Sequence, residues 1–204
     1  MPGWTIALIA AWAGIVGIWL FLLLAQRRLG PDGLILQPDF AGGADLPSVC
    51  VVIPARNEEK DIDACLGSIL RQDYPHLQVV VAEDRSTDGT AANAERIAHA
   101  DARVRVVHVD EPPPGWMGKS HALWHATRGV EAGWLLFTDM DCRLEPQAVR
   151  TAVREALARG ADLLSLWPRQ IPGGFWEHML IPLCAGVIAL WYGAPGVNRG
   201  GGSR

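Results

Sequence analysis

Hydrophobic and polar positions along this chain change rhythm several times, and each change predicts an element. Trp4 to Leu24 runs without a charge; as a helix it would be about 30 Å long, the thickness of a bilayer's hydrocarbon. The run is longer than a signal-peptide core, nothing basic precedes it, and Arg27-Arg28 come directly after it. Residues 1–25 are therefore expected to be an uncleaved, single-pass anchor, with the positive-inside bias placing Arg27, Arg28 and the residues C-terminal to them in the cytoplasm. The stretch from Gly30 to Pro47 is rich in Gly, Pro and Asp and has no periodicity, so residues 26–47 are expected to be a linker.

After the linker, strands and helices alternate. Val49 to Pro54 is a continuous apolar run of the kind buried on both faces of a parallel sheet. Ile62, Cys65, Leu66, Ile69 and Leu70 form a helical stripe, with Glu58, Glu59 and Asp61 in the expected first turn. Leu77–Ala82 and Val104–Val109 are expected strands, separated by a helix over Asp88–Ala100. A rigid PPPGW segment leads to a helix over Lys119–Gly129, then a fourth strand, Trp134–Thr138, a helix over Glu145–Arg159 and a fifth strand, Asp162–Trp167. This alternation implies an α/β fold with a parallel sheet covered by helices and ligands bound at the carboxyl ends of the strands. Met179–Tyr192 is apolar but interrupted by Pro182 and Gly186, which suits an in-plane or re-entrant segment or a buried core helix. Residues 171–204 are expected to be this segment and a tail, GVNRGGGSR, that cannot pack.

Composition narrows the classes. Half of the 204 residues are apolar and the net charge is −4, which fits a globular domain with membrane character. No basic stripe interleaved with aromatics is present, which argues against nucleic acid as a partner. Cys50, Cys65, Cys142 and Cys184 lie far apart without paired spacing, as expected of reduced core thiols rather than zinc ligands or disulfides.

Candidate chemistry sits at the expected strand ends. Phe137-Thr138-Asp139-Met140-Asp141 closes an apolar strand with two carboxylates one residue apart; in extended backbone they point the same way. Oxygen ligands of this type suit Mg²⁺ or Mn²⁺ with positions left open for phosphates, although paired aspartates there also serve as turn residues or caps. Pro54-Ala55-Arg56-Asn57-Glu58 comes after the first strand, Glu83-Asp84-Arg85-Ser86-Thr87-Asp88 after the second, and Gly118-Lys119 opens the helix before the fourth. Singly, Asn57 and Asp88 read as helix caps, Glu58 as a first-turn charge and Lys119 as a solvated residue. Together they would surround one crevice with carboxylates, a cation and helix N-termini, as a metal-chelated nucleotide diphosphate requires.

VVIPARNEE, LGSILRQDYP, VVVAEDRSTDGT and FTDMDCRLEP, in that order over Val49 to Pro168, resemble the successive motifs of family 2 glycosyltransferases. The resemblance implies the Rossmann-like GT-A fold over residues 48–170 and a nucleotide-diphosphate sugar donor, uridine-based in the expected case. EPPPGWMGKSHALWHA and the N-terminal anchor resemble the hopanoid-biosynthesis-associated branch, which implies a lipid-like acceptor at the inner (plasma) membrane. By position, the resemblance implies that Pro54, Ala55, Arg56, Asn57 and Glu58 line the nucleoside pocket and that Asp84 hydrogen-bonds the base. Lys119 would lie near base and phosphates, and Asp139 and Asp141 would hold Mn²⁺ or Mg²⁺ on the donor diphosphate. Glu83 stands where the family often has a second aspartate. The family's general base and acceptor half would come after Asn198, so the resemblance also implies that the chain is C-terminally truncated, with its catalytic base unknown.

Three other readings compete. A nucleotide-binding remnant without an acceptor site would keep every motif and transfer nothing. A phosphate-loop NTPase is suggested by Gly118-Lys119-Ser120, but the loop's first glycine falls on Pro113, and consecutive prolines offer no amide hydrogens. His121 and His125 share a helix face at i, i+4, but no third metal ligand accompanies them.

Overall fold

The computed structural model describes residues 2–28, 36 and 46–191. They fall into two compact units. One unit, spanning 36–164, contains the strands β1 (Val49–Ala55), β2 (Leu77–Glu83), β3 (Val104–His108) and β4 (Trp134–Phe137) and the helices α2 (Ile62–Leu70), α3 (Thr90–Ala100), α4 (Gly118–Thr127) and α5 (Ala148–Ala158). The other contains α1 (Gly3–Arg28) and α6 (Phe175–Trp191).

The four strands form one parallel sheet in the order β3-β2-β1-β4. Alternation along β1 and β2 divides the core in two. Val49, Val51, Ile53, Val79 and Val81 face α2, α3 and α5, while Cys50, Val52, Val80 and Ala82 face Ala122 and Ala126 of α4. Both faces are covered, so these central strands read as largely apolar runs, with Gln78 as the exposed exception in β2. Each side chain of this size that is fully buried contributes about 1.5–3 kcal/mol before entropic costs. Chain order runs from β1 outward to β3 and then returns to β4 on the opposite side of β1. The order reverses between β1 and β4, and a crevice opens outside the carboxyl ends of strands at such a point.

Several expectations change. Asp162–Trp167 is not a strand; β4 pairs only with β1 among the described residues, and Leu163 is 85% exposed. Glu58, Glu59 and Asp61 precede α2, which starts at Ile62; the segment before it is pinned to the loop after β2, the amides of Glu58 and Glu59 donating to Thr90 Oγ1 and Asp88 Oδ2. Helix α1 runs to Arg28, three residues into the expected linker; 29–35, 37–45 and the GVNRGGGSR tail lie outside the described residues. Helix α1 is long and apolar enough to cross a membrane, with Trp4, Trp12 and Phe21 exposed. Helix α6 is a shorter apolar helix containing Pro182.

Gln72, invisible as a structural residue in the sequence pattern, ties α2 to the start of α5. Its Nε2 donates to the carbonyls of Ser68 (3.2 Å) and Glu145 (2.7 Å), and its Oε1 accepts the Val149 N–H (3.0 Å). Ser68 assists: its hydroxyl donates to Cys65 O and accepts the Leu144 N–H. Gln72→Ala leaves these groups buried without partners and is expected to cost about 2–4 kcal/mol, read as a lower midpoint in urea denaturation monitored by circular dichroism.

Candidate active site

The loop after β1 turns sharply at Asn57, whose φ is 58°, and the loop after β2 turns at Arg85, whose φ is 54°. Left-handed backbone is costly for residues other than glycine and needs support. Here each loop supports the other. The Asn57 N–H donates to Ser86 Oγ (3.1 Å), and Asn57 Oδ1 accepts the Thr87 N–H (2.8 Å). Asn57 is thus a loop clasp and not a helix cap. Asp88 is not the cap either: Gly89 is the N-cap of α3, and Asp88, one residue earlier, accepts the Thr90 N–H on its Oδ1 at 3.0 Å. The Thr90 hydroxyl, and after it the Thr90 and Glu59 amides, hold the Asp88 carboxyl below its ordinary value.

Asp84 directly follows β2 and is buried. Its Oδ1 accepts from Arg85 Nε (2.9 Å), its Oδ2 pairs with Arg56 Nη1 (3.5 Å), and its amide donates to Ala55 O. Two guanidiniums therefore flank one buried carboxylate. Across from it, Gly118 opens α4 so closely that a Cβ there would lie 3.2 Å from Asp84 Oδ2. Gly118→Ala must push Asp84 or α4 by a few tenths of an ångström, and a three- to tenfold loss of nucleotide affinity is expected, about 1 kcal/mol. Calorimetric titration with UDP and GDP checks it.

Asp139 and Asp141 leave β4 in a turn closed by the Cys142 N–H on Asp139 O (3.2 Å). Between them Met140 is buried in the core, and the two aspartates are exposed on either side. The sequence pattern missed Met140 as the anchor that aims them outward. Further supports come from Cys65 Sγ on Asp139 O (3.7 Å) and from Arg143, which donates to Met140 O (3.1 Å) and pairs with Asp61 Oδ1 (2.6 Å). Lys119, one residue into α4, donates from Nζ to Asp139 Oδ1 at 2.5 Å. Pro54 and Ala55 end β1, and Glu58 faces the same space: its carboxyl is pushed above its ordinary value by burial first and then by Asp61, Asp141, Asp139 and Asp88.

The four polar clusters therefore meet. Arg56 and Asn57 touch the β2 loop, Gly118 closes on Asp84, and Lys119 reaches Asp139. Among the described residues no group of three or more His, Cys, Asp or Glu closes on one point. Two exposed aspartates beside a third carboxyl that they destabilise as an anion fit a Mg²⁺ or Mn²⁺ bound by few protein ligands, with the remaining positions left to phosphate oxygens.

The cysteines are free; burial pushes the Cys65 thiol up to about 12, while Cys142 is half-buried and Cys184 exposed, so only Cys50 and Cys65 are core thiols. His121 is buried beside His125, their ring centroids 6.0 Å apart. Trp116 packs edge-on against His121, so the pair belongs to an aromatic cluster.

A parallel α/β sheet with this strand order, covered by helices on both faces, is a fold of the GT-A type. The chain belongs to glycosyl transferase family 2, whose model matches residues 50–185. Its relatives include 4,4'-diaponeurosporenoate glycosyltransferases of two Staphylococcus aureus strains, 37% and 36% identical over 132 residues. Those matches cover 64% of this chain and 34% of each relative, so the chain spans about a third of their length. Among solved structures, a mannosyltransferase from Pyrobaculum calidifontis in complex with GDP-Man and Mn²⁺ is similar, with a TM-score of 0.55 and 33% identity over 74% of this chain and 42% of that one.

Proposed function

We propose that this chain is the donor-binding part of a membrane-associated glycosyltransferase that moves a sugar from a nucleotide diphosphate to a lipid-like acceptor. The meeting of four strand-end loops around Asp84 and Asp139 carries this reading. Arg56, Asn57 and Asp84 hold the nucleoside, Pro54 and Ala55 form its floor, and Lys119 offers its ammonium to the diphosphate. Asp139 and Asp141, with Glu58 beside them, would hold a divalent cation, which when bound supplies charge neutralisation on the departing diphosphate. In the transfer, the bond from the sugar's anomeric carbon to the diphosphate breaks and a bond to an acceptor oxygen forms. The acceptor's proton passes to a general base.

The relatives' name, 4,4'-diaponeurosporenoate glycosyltransferase, supports a lipid-like acceptor. The exposed apolar surface of α1 supports a membrane anchor, and Arg27-Arg28 support a cytoplasmic domain. A reporter fused within residues 49–164 is expected to read as cytoplasmic; a periplasmic signal would refute this orientation. The nucleoside is open between uridine and guanosine, and titration with both decides it.

A second reading, donor binding without transfer, is favoured by the late carboxylates. Glu155 pairs with Arg159, and Glu177 accepts the amides of Gly173 and Gly174, so each has a local use. Incubating the chain with radiolabelled UDP- and GDP-sugars, Mn²⁺ and membrane lipid separates the two. Label in the lipid phase supports transfer; free sugar alone supports binding with slow hydrolysis.

A further inference from the structure

His108 ends β3 beyond the crevice, yet both of its ring nitrogens face carboxylates. Nδ1 lies 3.2 Å from Glu83 Oε2 on β2, and Nε2 lies 2.8 Å from Glu95 Oε1 on α3. An ionised carboxylate only accepts hydrogen bonds, so satisfying both contacts requires both nitrogens to donate, which only the imidazolium does. Glu83 in turn is buried, and its second oxygen accepts the Ser86 N–H at 2.6 Å. Ser86 Oγ accepts the Asn57 N–H, and Asn57 Oδ1 accepts the Thr87 N–H. A continuous path of hydrogen bonds thus runs from α3 through His108 to the loops that carry both left-handed residues, Asn57 and Arg85, and shape the space around Asp84.

We infer that His108, as its imidazolium, is a positioning residue for donor binding, which locks Glu83 beneath the Ser86–Asn57 clasp and so sets the nucleoside-binding loops. The inference rests on the donor-binding reading above. Protonated His108 gives Glu83 a second fixed donor, so the carboxylate cannot rotate away from the Ser86 amide. Neutral His108 can donate to only one of its two carboxylates, and the other contact becomes lone pair against anion. The charged groups acting on the ring are Glu95 from α3 and Glu83 from β2, both raising its affinity for the proton, with partial burial opposing them. Arg85, paired with Asp84 and with Glu111, lies on the neighbouring loop. The ring's pKa is raised above its ordinary 6.5. The positioning is therefore complete below about pH 6.5 and is lost as pH rises through the raised value.

The test is calorimetric titration of the full chain in detergent with UDP and GDP in the presence of Mn²⁺, from pH 6 to pH 9, for the wild type, His108→Gln and Glu95→Gln. His108→Gln is expected to bind about five- to tenfold more weakly than wild type at pH 6 and nearly equally at pH 9, since the lost bond is charge-assisted only below the transition. Glu95→Gln keeps His108 but removes a counter-charge, so the fall in affinity should move to lower pH. A His108→Gln to wild-type ratio that is constant with pH would overturn the inference, because a merely structural role loses affinity at every pH. Should His108→Gln fail to fold, Glu95→Gln decides alone: a shifted transition supports the inference and an unshifted one overturns it. Wild type that binds neither nucleotide at any pH overturns the donor-binding reading and this inference with it.

Discussion

Asp141→Ala is expected to weaken binding of a nucleoside diphosphate by more than about a hundredfold in Mn²⁺, exceeding the roughly 10- to 100-fold lost when a residue that only orients a metal ligand is removed. In excess chelator the same substitution should leave affinity equal or slightly better, because one negative charge beside the diphosphate is gone. That opposite behaviour separates a metal ligand from a residue that shapes the loop. Asp141 is exposed, and the turn it occupies is anchored by Met140 and Arg143, so circular dichroism should show the fold unchanged. Equal affinities for wild type and variant in Mn²⁺ would remove Asp141 from the site.

Ile53→Ala is expected to carry the largest stability cost, about 2–5 kcal/mol. Ile53 is fully buried, pairs in register with Val81, and lies two residues before the end of β1 at Ala55. Its loss opens a cavity below the crevice, so nucleotide affinity should fall together with the urea midpoint. Leu163→Ala, at a side chain 85% exposed, should stay within about 0.5 kcal/mol of wild type and serves as the contrast. A cost below that of the Leu163 variant would contradict the core as described.

Apolar rhythm made β1 and β2 legible because central strands buried on both faces must be largely apolar, and β4, at the sheet's edge among the described residues, was legible from its short apolar run alone. The same signal misled at Asp162–Trp167. Its apolar residues look like a strand, but a strand needs a ladder partner, and no local pattern records that β4 pairs only with β1 among the described residues. The helix-start signal at Glu58–Asp61 failed for a similar reason. The segment before α2 is held by the following loop, the Glu58 and Glu59 amides donating to Thr90 and Asp88, about thirty residues later. The site was legible as residue types at strand ends, since parallel topology gathers those ends together. Its supports were not: nothing in the local pattern marks Met140, Gln72 or His108, because each acts through contacts distant in sequence.

Calorimetric titration of the full chain with UDP and with GDP, each in Mn²⁺ and again in excess chelator, measures the donor site most directly. One nucleotide should bind saturably in Mn²⁺, with affinity falling at least about tenfold on chelation and falling again when Asp84 is replaced by alanine. Binding of neither nucleotide, or binding of either that is indifferent to both the metal and Asp84, would contradict a metal-dependent nucleotide-sugar site at the ends of β1, β2 and β4.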